Sequence, residues 1–301
     1  MILTIIGALV ASCPAQKSVT FLRLGRDILK QRVDLHPATQ QDRLATLRKL
    51  FSDGGCQVHE QPVPKKSPNL LCFTRGTSDS VIVVLAPFDY SSKGDDATVQ
   101  WGDLVMLPIL AESIGSVLTR HSFVFLAESG AGKDQPGPTA YLEALMPKQR
   151  KNIHAVVALD HIGRAWTTYS IPGSPFGFDL RNGSPKWDPS QLPLTRSIPA
   201  AATRWSFPVP YKDDGYGSND AKPFVHENIP AITFSSPRST AVYVGDRPVT
   251  RELHTSLNLD EYNKTYLFLS VYLLLLDQDL GQSLPALLPE SLAPSAPPQP
   301  N

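Results

Sequence analysis

The chain has 301 residues, 28 basic and 28 acidic side chains, a net charge of zero and 19% charged residues. That length suits one large α/β core or two smaller ones. With no basic stripe for nucleic acid and no polybasic run for a membrane surface, both drop out as partners.

The N-terminal run MILTIIGALVAS is too short for a membrane span, which needs about 20 apolar residues. It suits the apolar core of a secretory signal, with a small-residue site at Ala11-Ser12-Cys13-Pro14-Ala15. Val10-Ala11-Ser12-Cys13 also resembles a bacterial lipoprotein box, which would anchor a lipid on Cys13. Either way an exported protein is expected, periplasmic or extracellular; the alternative is a buried first strand in a cytoplasmic protein. Residues 1–15 are thus a signal or lipoprotein segment and 16–281 one domain. Residues 282–301 form a Pro-rich tail that cannot pack a core and is expected to be disordered.

Ser18 to Leu35 reads as a helix, with Phe21, Leu22, Leu24, Ile28 and Leu29 at helical spacing, and Ala38 to Phe51 as a second, closed by Gly54-Gly55. Gln57 to Val63 and Asn69 to Thr74 are two strands around a Pro-Lys-Lys-Ser-Pro turn. Cys56 and Cys72 fall near this hairpin. Counting out from the turn does not set them opposite each other, so two buried free thiols are expected. Val81 to Ala86 is an apolar run of the kind buried on both faces of a parallel sheet. It is followed by a loop with Asp89, Asp95 and Asp96, which could equally cap a turn and the next helix. Trp101 to Leu118 is a long apolar helix, Phe123 to Ala127 a buried strand ending in Glu128, and Thr139 to Met146 a short helix. His154 to Leu159 is a third buried strand, ending in Asp160-His161. Residues 164–215 read as irregular; Trp166, Phe176, Phe178, Trp187, Trp205 and Tyr211 there could line a pocket, though core packing suits most of them. Ala231 to Phe234 is a fourth core strand, and Asp260 to Leu280 is a closing helix too flanked by charge to span a membrane.

Three successive buried strands therefore lead into acids: Asp89 and Asp95, Glu128, and Asp160, with His254 ahead of the closing helix. Parallel strands bring their carboxyl ends to one edge, where ligands of open α/β sheets bind. Carboxylates with an imidazole suit zinc, and three protein ligands leave an open position for a hydrolase. Capping and turn roles are the plainer alternative for each acid alone.

Other motifs are weaker. Ala127 to Asp134 resembles a phosphate-binding loop but lacks its first Gly and its final Ser or Thr, and Pro136 and Pro138 interrupt the helix that should follow. There is no Gly-x-Ser-x-Gly elbow and no His-Glu-x-x-His. His36, His59, His121, His154 and His226 suit surface or core positions. His161 could act as a ligand, except that adjacent strand residues point to opposite faces.

From about Asn69 to Leu280 the chain resembles the zinc aminopeptidase family that also holds glutaminyl cyclases and glutamate carboxypeptidases. The resemblance rests on Asp89, Asp95-Asp96, Glu128 and Asp160, on Ser218-Asn219-Asp220 through Phe224 followed by Ile229-Pro230-Ala231-Ile232, and on Glu252-Leu253-His254-Thr255. It implies a three-layer α/β/α sandwich with a central mixed, mainly parallel sheet. It also implies zinc on Asp95, Glu128 and His254, with Asp160 in a second site and Asp89 orienting a ligand. The substrate it implies is a peptide or aminoacyl compound. Two positions depart: the family's ligand His is Pro87, and its general-base Glu is Ala127. The second site keeps only Asp95 and Asp160, so one ion is expected, or none. General acid–base help is worth about 10²–10⁴-fold, and a methyl group supplies none of it. Asp220 is a candidate proton relay, although its neighbour is Ala221 where the family has His. The expectation is a metallopeptidase of reduced activity. The alternatives are an inactive peptide- or protein-binding member and a single-zinc glutaminyl-cyclase-like acyltransferase.

Overall fold

A computed structural model describes residues 18–88, 96–130, 135–171, 192–205, 219–237, 241–244, 247–250 and 256–280. The N-terminal segment with Cys13, the Pro-rich tail, Asp89, Asp95 and His254 lie outside the described residues.

The chain begins with α1 (Arg26–Asp34), α2 (Gln40–Asp53), β1 (Val58–Gln61), β2 (Asn69–Thr74) and β3 (Val81–Pro87). There follow α3 (Asp96–Gly115), β4 (Ser122–Glu128), α4 (Pro136–Glu143), α5 (Pro147–Lys151), β5 (Ile153–Asp160) and β6 (Thr168–Ser170). The last elements are α6 (Leu192–Arg204), a 3-10 turn (Asn219–Ala221), α7 (Lys222–His226), β7 (Ala231–Ser235), the hairpin β8 (Ala241–Val244) and β9 (Arg247–Thr250), and α8 (Leu259–Asp279).

Seven strands form one sheet in the order β1-β2-β4-β3-β5-β7-β6. β4, β3, β5 and β7 pair in parallel, while β1, β2 and β6 join through antiparallel pairs at the two edges. Strand alternation splits the apolar residues between two cores. Ile82, Val84 and Ala86, with Phe123, Phe125, Ala127 and Val157, face α1, α2, α3, α6 and α8. Val83, Leu85, Val124, Leu126, Val156 and Ala158 face α4 and α7. This is the expected α/β/α sandwich with a mixed, mainly parallel sheet.

α8 is buried along nearly its whole length, from Tyr262 to Asp277. A helix apolar all round belongs in a core, and each fully buried Leu contributes about 1.5–3 kcal/mol. None of the helices among the described residues is long and apolar enough to cross a membrane. Its first turn is capped by Asn258, whose side chain accepts from the amides of Asp260 at 2.9 Å and Glu261 at 3.1 Å. Its far end is fastened by Asp277, which accepts from the amides of Arg120 at 3.0 Å and His121 at 2.6 Å. The His121 ring lies 2.9 Å from Asp277 and 3.1 Å from His154, linking the amino ends of β4 and β5 to α8.

Three expectations change. The first helix is shorter, because residues 18–25 spend their backbone groups elsewhere. The Leu22 amide donates to Ser113 O, the Leu24 amide to the Tyr266 hydroxyl, and that hydroxyl to Leu22 O, so the helix starts only after Gly25. The 164–215 stretch is not wholly irregular, since β6 and α6 lie in it. Pro193 and Pro199 hide α6 in the sequence. Leu194, Ile198, Ala201 and Ala202 nevertheless form a buried stripe, and Leu194 O accepts from Tyr272 of α8 at 2.9 Å.

The third change is the pair of cysteines, which form a disulfide rather than free thiols. Cys72 stands opposite Val58, so Cys56 is indeed not its direct partner. It reaches Cys72 diagonally, because the α2 terminus pins it there: Gly55 has φ +83° and the Cys56 amide donates to Phe51 O at 3.0 Å, a Schellman closure. The Cα atoms are 5.8 Å apart, within bridging range.

Two outcomes follow from these fastenings. A Cys56→Ser, Cys72→Ala variant should lose about 3 kcal/mol in denaturant unfolding, the entropy of a closed loop of roughly this length. His154 is held below its ordinary pKa by burial first, then by the His121 and Arg120 charges. The unfolded chain takes up that proton more readily, so this stabilisation is lost as pH falls below about 6.5. The unfolding midpoint should therefore drop on acidification from pH 7 to 5 more steeply in wild type than in His154→Gln.

Candidate functional site

The parallel register brings the strand ends into line. Pro87 of β3 pairs with Glu128 of β4, and Asp160 of β5 pairs with Ser235 of β7. The β3–β5 register, Leu85 opposite Ala158, places Pro87 level with Asp160. By strand alternation Glu128, Pro87 and Asp160 share the face of α4 and α7, while Ala127 faces the other core. Glu128 and Asp160 sit two strands apart, about 10 Å between backbones.

Glu128 is fully buried. The end of β4 is clamped by Asn69 of β2, whose side chain accepts from the Ser129 amide at 2.9 Å and donates to Gly137 O at 2.9 Å. A Cβ at Gly137 would lie 2.7 Å from Glu128 Oε2 and 2.3 Å from Ser129 O, so only Gly fits where α4 starts. The Glu128 carboxylate therefore packs against the first turn of α4, where helix amides favour negative charge. Pro136 begins that helix instead of interrupting it, a position that needs no N–H donor.

Beyond β5 the chain turns sharply. His161 has φ +57°, a left-handed conformation open to few residues other than Gly. Its ring folds back onto the residue before it, with Nδ1 2.6 Å from Asp160 Oδ1. From α3, Asp103 accepts the amide of His161 on Oδ2 and that of Ile162 on Oδ1, both at 2.8 Å. Burial pushes the Asp103 carboxyl up to about 7; His161 opposes the shift, Asp160 adds to it, and the two amides oppose it. One donor atom each from Asp103, Asp160 and His161 lie within 4.8 Å of one another.

α8 enters at the same place. The Tyr262 hydroxyl donates to Gly102 O at 2.8 Å, and the Asn258 amide donates to Gly163 O at 2.8 Å. Gly163, at φ +79°, leaves no room for a Cβ, which would lie 2.8 Å from Tyr262.

No family profile and no curated protein matches this sequence. Solved structures do. A zinc aminopeptidase from Bacillus subtilis matches with TM-score 0.52 and 17% identity, over 69% of this chain and 49% of that one. The LapA aminopeptidase of Legionella pneumophila matches with TM-score 0.57 and 15% identity, over 82% and 70%. A glutaminyl cyclase from an Acidobacteriales bacterium matches with TM-score 0.53 and 14% identity, over 89% and 99%. The chain has the zinc-exopeptidase fold. It spans about half the length of the Bacillus subtilis enzyme.

Within that fold the residues singled out in the sequence divide three ways. Glu128 and Asp160 stand at the carboxyl edge, and Asp220 is buried in the 3-10 turn beside Ala221, on the face of α4 and α7. Asp89, Asp95 and His254 lie outside the described residues; Asp95 directly precedes α3, and Asn258 lies four residues after His254. Glu128 is not part of the three-residue donor group among the described residues. Trp166 is buried and Trp205 stacks under the Arg23 guanidinium at 5.5 Å, so both serve packing. The other four aromatics lie outside the described residues. A cavity of about 700 Å³ opens at the opposite end of the sheet, among Phe73, Val81, Ser122 and Ile153, away from the acids.

Asp103 was missed in the sequence. Its signal was a lone carboxylate within a fully buried stretch, Trp101 to Leu110, of an otherwise apolar helix. Replacing it removes the acceptor for two amides, and each buried donor left without a partner costs about 1–3 kcal/mol. Asp103→Ala should therefore lower unfolding free energy by about 2–5 kcal/mol in chelator, measured by urea titration.

Proposed function

We propose that this chain is a metallopeptidase-like protein of the zinc aminopeptidase type, which binds the amino end of peptides at the carboxyl edge of its sheet and hydrolyses the first peptide bond slowly. The observation that carries this reading is the level line of Glu128, Pro87 and Asp160 on one sheet face, in a fold shared with zinc aminopeptidases. The donor chemistry fits zinc, since carboxylates and imidazoles are its usual oxygen and nitrogen ligands. Asp95, Glu128 and His254 would hold it. Their flanking residues support this: Asp95 abuts the start of α3, which reaches the turn after β5 through Asp103, and Asn258 is bonded to Gly163 in that turn. When bound, zinc supplies Lewis acidity and an activated water.

The chain's own groups set the limits. The Ala127 methyl group can accept no proton, and it faces the core on the opposite side from Glu128. Asp220, buried beside β5 and β7, is the remaining candidate relay. The Cys56–Cys72 bridge supports an exported location, because such bonds persist in oxidising compartments.

A second reading is a glutaminyl-cyclase-like acyltransferase. It is favoured by size: the chain spans 99% of the bacterial glutaminyl cyclase. The same edge would then hold an N-terminal Gln whose α-amine attacks its own side-chain amide carbon, closing the lactam and releasing ammonia.

The test is turnover of aminoacyl anilides and of N-terminal Gln peptides, by protein stripped of metal and then given zinc. The expected result is weak, zinc-dependent release of the anilide, about 10²–10⁴-fold below an enzyme with an intact base, and lost in Glu128→Gln. Cyclisation in place of hydrolysis would establish the second reading. Peptide binding with neither reaction would leave an inactive binding module. Ala127→Glu should gain no activity and should melt at lower temperature, since its carboxylate would enter the core.

A further inference from the structure

We infer that Asp103, Asp160 and His161 form a divalent-metal site, a ligand set different from Asp95, Glu128 and His254. The three side chains come from two elements, α3 and the end of β5, and present two carboxylates and one imidazole within 4.8 Å. This donor set suits zinc, or cobalt and manganese in its place. The charges also match, because two carboxylates gathered around a neutral ring balance one dication.

The donor atoms, within 4.8 Å of one another, would draw together onto the ion. Ligand bonds of about 2.0–2.1 Å place tetrahedral donors about 3.3 Å apart. Asp160 Oδ1 and His161 Nδ1, now 2.6 Å apart, would part by a fraction of an ångström to admit the ion. Asp103 is already oriented. Its oxygens each accept one backbone amide at 2.8 Å, and a carboxylate with about four lone-pair sites keeps the others for a metal. Amides that hold a ligating carboxylate in place are the outer-shell support that metal sites use.

Access is graded as an ion requires. Asp103 is fully buried at the floor. The Asp160 and His161 side chains are 14% and 19% exposed, so the group borders solvent. The left-handed turn at His161 makes the set possible. In an extended strand its ring would face away from Asp160; at φ +57° it folds back beside it.

The test is metal binding by the full chain, stripped with chelator and titrated with Zn²⁺ or Co²⁺, read by elemental analysis after dialysis and by Co²⁺ visible absorption. His161→Asn is the principal variant, because Asn tolerates the left-handed backbone while removing the imidazole. Asp160→Asn is the second, and a melting curve confirms that each folds. The expected result is an ion whose affinity falls at least tenfold in both variants and stays unchanged in Asp95→Ala. Equal affinity in wild type and His161→Asn would overturn the inference, and so would no ion bound at millimolar metal. An ion lost in Asp95→Ala but kept in His161→Asn would also overturn it, while supporting the site proposed on Asp95, Glu128 and His254.

Discussion

The carboxylate of Asp103 holds the carboxyl edge of this sheet together. It is the one charged group inside the buried stretch Trp101 to Leu110, and both its oxygens are committed to the amides that follow β5. Those hydrogen bonds set the turn at His161 and Ile162. The turn in turn receives α8, through Asn258 on Gly163 and through Tyr262 wedged between Gly102 and Gly163. A fully buried carboxyl beside a second acid is costly unless such partners are fixed. The cost is met with backbone donors that cannot move away, so α3, β5 and α8 share one anchor at the edge where the acids stand.

The strand skeleton was legible because buried parallel strands leave a strong trace. Val81 to Ala86, Phe123 to Ala127 and His154 to Leu159 are each within a residue or so of β3, β4 and β5. Glu128 and Asp160, the terminal acids of β4 and β5, stand level because the register of parallel strands is set by burial on both faces. What stayed hidden depends on tertiary contacts. α6 carries two prolines, and its helical stripe makes sense only against α8. Residues 18–25 have helical spacing but give their backbone groups to Ser113 and Tyr266. The cysteine bridge stays hidden because the two positions are not directly opposed, and the end of α2 moves Cys56 to a diagonal approach.

The candidate site was legible in part, and the limit lies in backbone turns. Sequence spacing identifies Glu128 and Asp160 as strand ends but says nothing of the dihedral at the next residue. With an extended residue 161, alternation would turn its imidazole away from Asp160. A left-handed one reverses that conclusion, and the only sign of it in Leu159-Asp160-His161-Ile162-Gly163 is the weak preference of His for positive φ. Asp103 was hidden for a different reason. A single acid in an apolar helix looks like tolerance at an exposed position until the helix is seen to be buried on all sides.

The same geometry bears on the two departures at Pro87 and Ala127. Ala127 lies within β4, bonded in register to Leu70 and Ala86 and packed on the side of α3 and α8. A carboxylate there would enter the apolar core on that side of the sheet, so packing as well as chemistry disfavours it. Pro87 is different. It ends β3 at the level of Glu128 and Asp160, on their face by strand alternation. The imidazole missing there has a counterpart one strand over, on His161, held against Asp160. Under the metal site inferred above, the edge regains on His161 the imidazole that Pro87 does not supply, with Asp103 fixing the turn that carries it.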